Sequence, residues 1–246
     1  MARKSRGKQR VRSAFPSQQP WQRLVNPYSP IEVLDDEELS AIHEASMDIL
    51  ENVGVEFLSE RALTILENSG AIVDRDNNLV RMDRGLVLES ISNAPSQFTL
   101  HARNPQRYVV IGDNHICFDS VGGPAYVSDL DHGRRAGNFN DFRKFICLIQ
   151  SLDVLHMCGG IPVVPVDLDP ETRHLDCIYT TITHIDKVWH TTGLGRQRMS
   201  DAIDMLCIVR NQTRDEIKTK PGIFTTINCN SPRRFDGPML DGLMEA

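Results

Sequence analysis

From Cys117 onward the sequence alternates short apolar segments with amphipathic helical patterns, and this rhythm constrains the fold more than any other feature. The segments predicted as strands lie at 117–121 or 125–128, 154–158, 187–192 and 223–227. Helices are predicted between them, beginning at Asn138 or Asn140, at Pro170 and after Gly193. Strands that alternate with helices pair in parallel through right-handed crossovers. The pattern therefore predicts about four consecutive βα units.

Two parallel architectures fit such a pattern, a doubly wound sheet and a (β/α)8 barrel. A doubly wound sheet usually carries a glycine-rich phosphate loop after its first strand. Neither G-x-G-x-x-G nor G-x-x-x-x-G-K occurs in this sequence. A barrel needs no such signature, but it needs eight units in roughly 250 residues or more. The predicted fold class is therefore α/β, an incomplete (β/α)8 TIM barrel.

The chain before the βα units divides into two parts. Residues 1–34 are polar, basic and proline-containing, and they predict a disordered arm. Residues 35–116 predict helices capped by Asp35 or Asp36 and by Ser59. After Pro95 the pattern changes to period two, which is typical of a small antiparallel β element. Residues 117–246 form the third predicted part, the first half of a truncated barrel.

Charge is spread unevenly between the arm and the rest of the chain. Residues 1–31 contain seven basic residues and no acidic one. Because the net charge of the whole chain is −6, residues 32–246 carry a net charge of −13. A basic arm can bind nucleic acid or another anionic partner. The aromatic residues of this arm, Phe15 and Trp21, stand singly and form no stacking platform for bases. We therefore favour a solvated arm and do not expect nucleic acid as a partner.

Neither a membrane segment nor a secretory signal is evident in the sequence. No apolar run approaches the 18 or more residues that a membrane helix needs, and no apolar stretch follows the basic amino terminus. The six cysteines form no C-x-x-C pair. Four of them, Cys147, Cys158, Cys177 and Cys207, are predicted to be small core residues in a reducing compartment. A cytoplasmic protein is expected.

A series of short segments also carries a resemblance to a known family. The segments are Ile42-His43-Glu44-Ala45-Ser46, Ile49-Leu50-Glu51-Asn52-Val53-Gly54-Val55, Ser69-Gly70-Ala71 with Val73-Asp74, Ala94-Pro95 with 98–105, Gly122-Gly123-Pro124, Asp141, and Ser231-Pro232 with Phe235-Asp236. In their order and spacing, over about residues 25–246, they resemble the amino-terminal half of trimethylamine methyltransferase family proteins. No single motif is diagnostic.

The resemblance implies a (β/α)8 barrel that passes a methyl group from trimethylamine or a related methylated or quaternary amine to a separate corrinoid protein. The corrinoid (cobalamin) would then be supplied by that partner, with no cofactor bound directly by this chain. Some family members carry pyrrolysine in the missing half, whereas others lack it and use quaternary amines such as glycine betaine. Because the strong nucleophile would be the partner's cobalt, the chain needs no conspicuous nucleophile, and its catalytic residues are not assigned.

Functional side chains of a barrel lie at the carboxyl ends of its strands. A trimethylammonium group has no proton to donate, so aromatic faces recognise it by cation–π attraction. Tyr126, Trp189 and Phe224 lie in or beside predicted strands, and Tyr126 and Trp189 are predicted to line the donor site. Core packing is the alternative for each of the three.

His156 and His190 are also candidates for substrate binding, since both lie in or at the end of a predicted strand. Together with Cys158 they could supply a zinc site, but zinc ligands normally include a tighter local pair. A satisfied interior histidine is the alternative for His156. No metal is expected.

Asn228 and Asn230 follow the fourth predicted strand directly. Two residues apart in extended chain, they should point the same way, and their amides could hold a substrate carboxylate. Asn-x-Asn before Ser-Pro is equally typical of a turn that caps a helix.

Two functions of different kinds fit these observations. The first is the corrinoid-dependent methyltransferase, and the second is a non-catalytic truncated barrel that acts only as a binding or interaction module. In either case a half barrel leaves strand edges unpaired and helix faces uncovered, so we expect poor stability alone and assembly into a homo-oligomer.

Overall fold

The computed structural model describes residues 17–246, so residues 1–16 of the predicted arm lie outside the described residues. In that part of the chain eight helices are formed. They are α1 (Asp36–Asp48), α2 (Glu60–Asn68), α3 (Arg84–Ser92), α4 (Phe139–Ser151), α5 (Arg173–His184), α6 (Arg196–Arg210), α7 (Arg214–Thr219) and α8 (Gly237–Leu243). A short π-helical turn, Ile49–Val53, extends α1, and a single 3-10 turn covers Pro105–Arg107.

Short polar side chains set the starts of the predicted helices. Asp35 caps α1 and Ser59 caps α2, as the sequence predicts. Asn138 caps α4, and its side-chain oxygen accepts the backbone N–H of Asp141, whose carboxylate accepts the N–H of Asn138 in return. Such reciprocal bonds satisfy amide groups that have no partner inside the helix. These helix starts are confirmed.

Thirteen short strands accompany the helices in residues 17–246. They are β1 (Leu24–Val25), β2 (Val55–Phe57), β3 (Ile72–Asp74), β4 (Leu79–Arg81), β5 (Gln97–Leu100), β6 (Val109–Gly112), β7 (His115–Ile116), β8 (Tyr126–Asp129), β9 (Gly133–Ala136), β10 (Met157–Cys158), β11 (Val188–His190), β12 (Ile223–Phe224) and β13 (Arg234–Phe235).

A parallel sheet in the order β10-β11-β12 forms the centre of the molecule. Cys158 pairs with Trp189, and His190 pairs with Phe224. Helix α5 connects β10 to β11, and helices α6 and α7 connect β11 to β12. The predicted parallel pairing of successive strands is confirmed.

Residues 117–124 lie along the free side of β10 as a fourth extended segment. The backbone N–H of His156 donates to Phe118 O at 2.8 Å, and that of Gly123 donates to Ile161 O at 2.8 Å. These partners advance together along both segments, so the two run parallel. The alternative strand at 125–128 is formed as β8, but it pairs antiparallel with β9 in a hairpin and not within the parallel sheet.

Side chains alternate between the two faces of the parallel sheet. Cys158 and Trp189 pack with α4, α5 and α6 in the larger core. Met157 and Val188 face the other way, where the antiparallel pair β5–β6 covers them with Leu100, Val109 and their neighbours. We call this second face the inner face. The predicted antiparallel element after Pro95 is confirmed, and it closes the inner face at the amino ends of the strands.

A four-stranded sheet in the order β13-β2-β4-β3 is a second structural unit, and the sequence pattern did not predict it. Strands β2, β3 and β4 pair antiparallel, and the late strand β13 joins β2 in parallel. The molecule is thus a mixed α/β structure of several small sheets, none closed within residues 17–246. Closure into a barrel stays a prediction.

Two further sequence expectations meet the structure here. All six cysteines are free, and Cys158 and Cys177 are buried as predicted. Cys147 is exposed and Cys207 is partly exposed, so their assignment to the core is wrong, because each falls on the outward side of its helix. In the described part of the chain, no helix is long and apolar enough to cross a membrane.

Candidate functional site

The carboxyl ends of the four parallel segments bring together Asp119, Gly159, His190 and Phe224. Cys117 and Phe224 pack against the inner-face core, and alternation along the chain places Asp119 and His190 on that same face. The His190 and Phe224 rings are nearly perpendicular, with centroids 5.1 Å apart. We call these four residues the inner-face site. It lies where barrel enzymes place their functional groups.

Two consecutive glycines make the close approach of these groups possible. A methyl group added at Gly159 would overlap the carbonyl oxygen of Ser120 and lie 2.9 Å from the Asp119 carboxyl carbon. At Gly160, where φ is +100°, it would lie 3.1 Å from His190 Nδ1. The glycine pair therefore lies between Asp119, which approaches Gly159, and His190, which approaches Gly160.

Asp119 is a half-buried carboxylate, and the protein offers few hydrogen bonds or positive charges to stabilise its negative charge. One of its oxygens accepts the backbone N–H of Ser120 at 2.8 Å. Burial raises the pKa of Asp119 to about 6, and the Ser120 N–H opposes that rise only in part. Within residues 17–246, no basic side chain lies within 4.0 Å of this carboxylate.

His190 is an aromatic group that the site keeps uncharged. Burial lowers the pKa of its imidazole, because the charged form is poorly solvated there. A neutral imidazole beside the Phe224 ring gives a surface that is largely apolar. The combination of an isolated negative charge with neutral aromatic rings suits a cation that carries methyl groups rather than N–H donors.

A profile of the trimethylamine methyltransferase (MTTB) family matches residues 1–246. The chain belongs to the trimethylamine methyltransferase family. Family membership confirms the resemblance seen in the sequence.

Three relatives illustrate how the trimethylamine methyltransferase family matches this chain. A glycine betaine methyltransferase from Desulfitobacterium hafniense strain Y51 is 34% identical over 86% of the chain and 44% of its own length. Trimethylamine methyltransferase MttB of Methanosarcina thermophila is 34% identical over 81% of the chain and 42% of its own length. Proline betaine:corrinoid methyltransferase of Eubacterium limosum is 27% identical over 84% of the chain and 43% of its own length. The chain thus spans less than half the length of these relatives.

His156, predicted as a substrate-binding residue, is placed at the amino side of β10 and is almost fully buried. Its Nδ1 accepts the backbone N–H of Phe118 at 2.9 Å, and its Nε2 lies 3.0 Å from Gln22 O. Since Nδ1 accepts, Nε2 carries the proton and donates. Trp21 packs edge-on against the ring, with centroids 5.9 Å apart. The imidazole thereby ties residues 21–22, part of the predicted arm, to the body.

Tyr126 and Trp189, the predicted aromatic residues, lie apart from the inner face. Tyr126 is exposed on β8, and the Arg134 guanidinium stacks 3.9 Å from its ring centroid. One face of this ring therefore already carries a cation of the same chain. Trp189 is 5% exposed and packs in the core on the helix side of the sheet.

Asn228 and Asn230 take different positions after β12. Asn230 closes a tight turn, in which its backbone bonds Arg234 in both directions and its Nδ2 donates to Asp236 at 3.0 Å. Asp236 in turn caps α8. Asn228 is exposed, and within residues 17–246 its amide has no hydrogen-bond partner. The turn interpretation thus describes Asn230 well.

The donor atoms of His156, Cys158 and His190 are not gathered into a metal site. Within residues 17–246, the sole group of three His, Cys, Asp or Glu side chains with ligand atoms within 4.8 Å of one another is Asp129, Asp131 and His132. All three are exposed on the β8–β9 hairpin.

Asp119 is the site residue that sequence reasoning did not assign, since it stands isolated between Phe118 and Ser120. One signal could have indicated it. It lies two residues after the apolar Cys117 in a predicted strand, and Gly159-Gly160 ends the next predicted strand. Small residues at one strand end leave room for a side chain from the neighbouring strand.

Proposed function

We propose that this chain moves a methyl group from trimethylamine or a related methylated or quaternary amine to a corrinoid protein. The observation that carries the proposal is the inner-face site, which combines one carboxylate with neutral aromatic rings in a member of this family. The names of relatives, which act on trimethylamine, glycine betaine and proline betaine, support methylated amines as the substrate class.

The reaction breaks one N–CH3 bond and leaves its electron pair on the nitrogen, so that the product is an amine with one methyl group fewer. A corrinoid with cobalt in its reduced Co(I) state supplies the electron pair that takes up the methyl group. The positive charge of the substrate nitrogen makes the amine a better leaving group. In this scheme the chain holds the donor in a fixed orientation within a dry pocket.

Among the predicted site residues, His190 has the position that suits direct contact with the substrate. In this proposal Tyr126, Trp189, His156 and Asn230 support the surrounding structure, and no role is assigned to Asn228. His156 holds residues 21–22 and Asn230 holds the turn before α8, as their hydrogen bonds indicate.

Methyl transfer tests the proposal directly. The purified protein is incubated with cob(I)alamin and with trimethylamine, glycine betaine or proline betaine. The expected result is loss of the cob(I)alamin absorbance and appearance of methylcobalamin. Mass spectrometry should detect release of the demethylated amine. Binding of an amine without transfer, with the corrinoid protein present, would favour the non-catalytic interaction module. Neither binding nor transfer would contradict both functions.

A further inference from the structure

Asp119 differs from every other buried or half-buried carboxylate of the described chain whose pKa is shifted. The Arg135 guanidinium lowers the pKa of Asp141. Burial alone would raise the pKa of Asp186, but hydrogen bonds from Gln150 and Asn104 lower it overall. At Asp119 burial is opposed by one backbone N–H alone. This site therefore lacks the partner that its counterparts have.

An uncompensated charge of this kind is costly, because a carboxylate loses solvation when it is buried. Proteins retain such groups mainly at functional sites, where the partner is a ligand. The neighbours of Asp119 do not remove the cost. The thiols of Cys117 and Cys158 are uncharged, because burial raises the pKa of both, for Cys158 to about 12. His190 is neutral.

The position of the carboxylate specifies the partner. It lies against Gly159 on the inner face, and the His190 and Phe224 rings lie at the ends of the next two strands of the sheet. A methylated ammonium group carries a positive charge spread over its methyl hydrogens and presents an apolar surface. Such a group matches a carboxylate through its charge and the rings through cation–π attraction and contact.

We propose that Asp119 is the specificity-determining residue of the inner-face site and pairs with the positive nitrogen of a methylated ammonium substrate. This inference rests on the proposed function and deepens it, since it assigns the residue that recognises the positive charge of the substrate. Quaternary ammonium compounds carry the required positive charge at any pH, and tertiary amines carry it in their protonated form. An uncharged molecule of the same shape is discriminated against, because it leaves the carboxylate unpaired.

The test compares two carboxylates of the same shape, one with a positive quaternary nitrogen and one with an uncharged carbon in its place. Glycine betaine and 3,3-dimethylbutyrate have the same shape, and they differ in the charge of the central nitrogen or carbon. Calorimetric titration should show that the native protein binds glycine betaine more tightly. Asp119→Asn should weaken glycine betaine binding by about tenfold or more, equivalent to about 1.4 kcal/mol, and should not weaken the binding of anionic 3,3-dimethylbutyrate.

Matched variants separate charge from fold. Asp176→Asn makes the same chemical change at an exposed position of α5 and should leave both affinities unchanged. Asp119→Glu keeps the charge and should retain part of the preference for the cation. Circular dichroism and thermal unfolding verify that each variant is folded.

The outcomes distinguish this inference from the proposed function. If the native protein binds no methylated ammonium compound, the proposed function fails. If it binds glycine betaine and Asp119→Asn binds it equally well, Asp119 is not the charge partner, while the proposed function stands. An equal loss of affinity for both compounds would show that Asp119 shapes the pocket, and would overturn the charge-pairing proposal.

Discussion

At the scale of single residues, the surroundings of a side chain decide its role more than its type does. Two histidines illustrate this. His156 uses both ring nitrogens in hydrogen bonds to the backbone at the amino side of β10. His190 lies at the carboxyl end of the next strand, half-buried beside Phe224. The first histidine holds two segments together, and the second is available to a ligand.

Asp119 leads to a prediction about stability and pH. Its pKa is about 6 in the folded chain against an ordinary value of 3.8, so the unfolded chain loses its proton first as pH rises. The free energy of unfolding therefore falls as the pH rises from about 4 to about 6, and the loss is complete above about pH 7. Asp119→Asn removes the charge and should stabilise the protein at pH 8 by about 1–2 kcal/mol, a value lowered for partial exposure.

Urea denaturation of both proteins at pH 4, 6 and 8 measures this effect. The difference in the free energy of unfolding should grow with pH between the first and last condition. A difference of the same size at all three values would show that the carboxylate charge carries no cost. The gain in stability with loss of binding is the trade-off expected at a functional site.

At the scale of elements, the predictable part of the fold is the part encoded locally. Helix starts at Asp35, Ser59 and Asn138 could be predicted because a cap and its amide partners lie within three residues. The sheet that joins β13 to β2 could not, because its strands are two or three residues long and its pairing joins distant parts of the chain.

The same distinction applies to the inner-face site. His190 could be predicted because it ends a strand with a clear apolar pattern. Asp119 could not be assigned because its position depends on Gly159 in another segment and on the absence of a basic partner. Trp189 was expected to line the site, and the structure places it on the helix side because side chains alternate along β11. The register of a three-residue strand is weakly specified by sequence.

Helix α4 depends on a buried residue of another element. Lys187, which precedes β11 and is 1% exposed, donates from Nζ to Ile149 O at 2.6 Å and to Leu152 O at 2.8 Å. These carbonyls belong to the end of α4, where the helix dipole favours a positive charge. Lys187→Met should destabilise the protein by about 2–4 kcal/mol, because two carbonyl groups lose their buried donor.

Urea denaturation at pH 7 measures that loss, and Lys218→Met provides the control, since Lys218 is exposed on α7. The control should change stability by no more than about 0.5 kcal/mol. Equal effects of the two substitutions would show that Lys187 does not anchor α4.

At the scale of the whole molecule, two surfaces remain uncovered within residues 17–246. No strand pairs with the outer edge of β12. Helix α1 buries Met47 alone, and Leu39 and Ile42 on it are 59% and 55% exposed. Exposed strand edges and contiguous apolar surfaces favour association with other chains.

The apolar side of α1 yields the last prediction. The protein should associate with itself as its concentration rises, and light scattering coupled to size-exclusion chromatography should show a mass that increases with loading. Leu39→Glu with Ile42→Glu should reduce this association, because two charges replace the apolar pair. Ser40→Glu with His43→Glu adds the same side chains at the same spacing, but rotated by about 100° around the helix. This control should associate as the native protein does. A monomer at every concentration, or equal effects of the two double variants, would show that the apolar side of α1 does not mediate self-association.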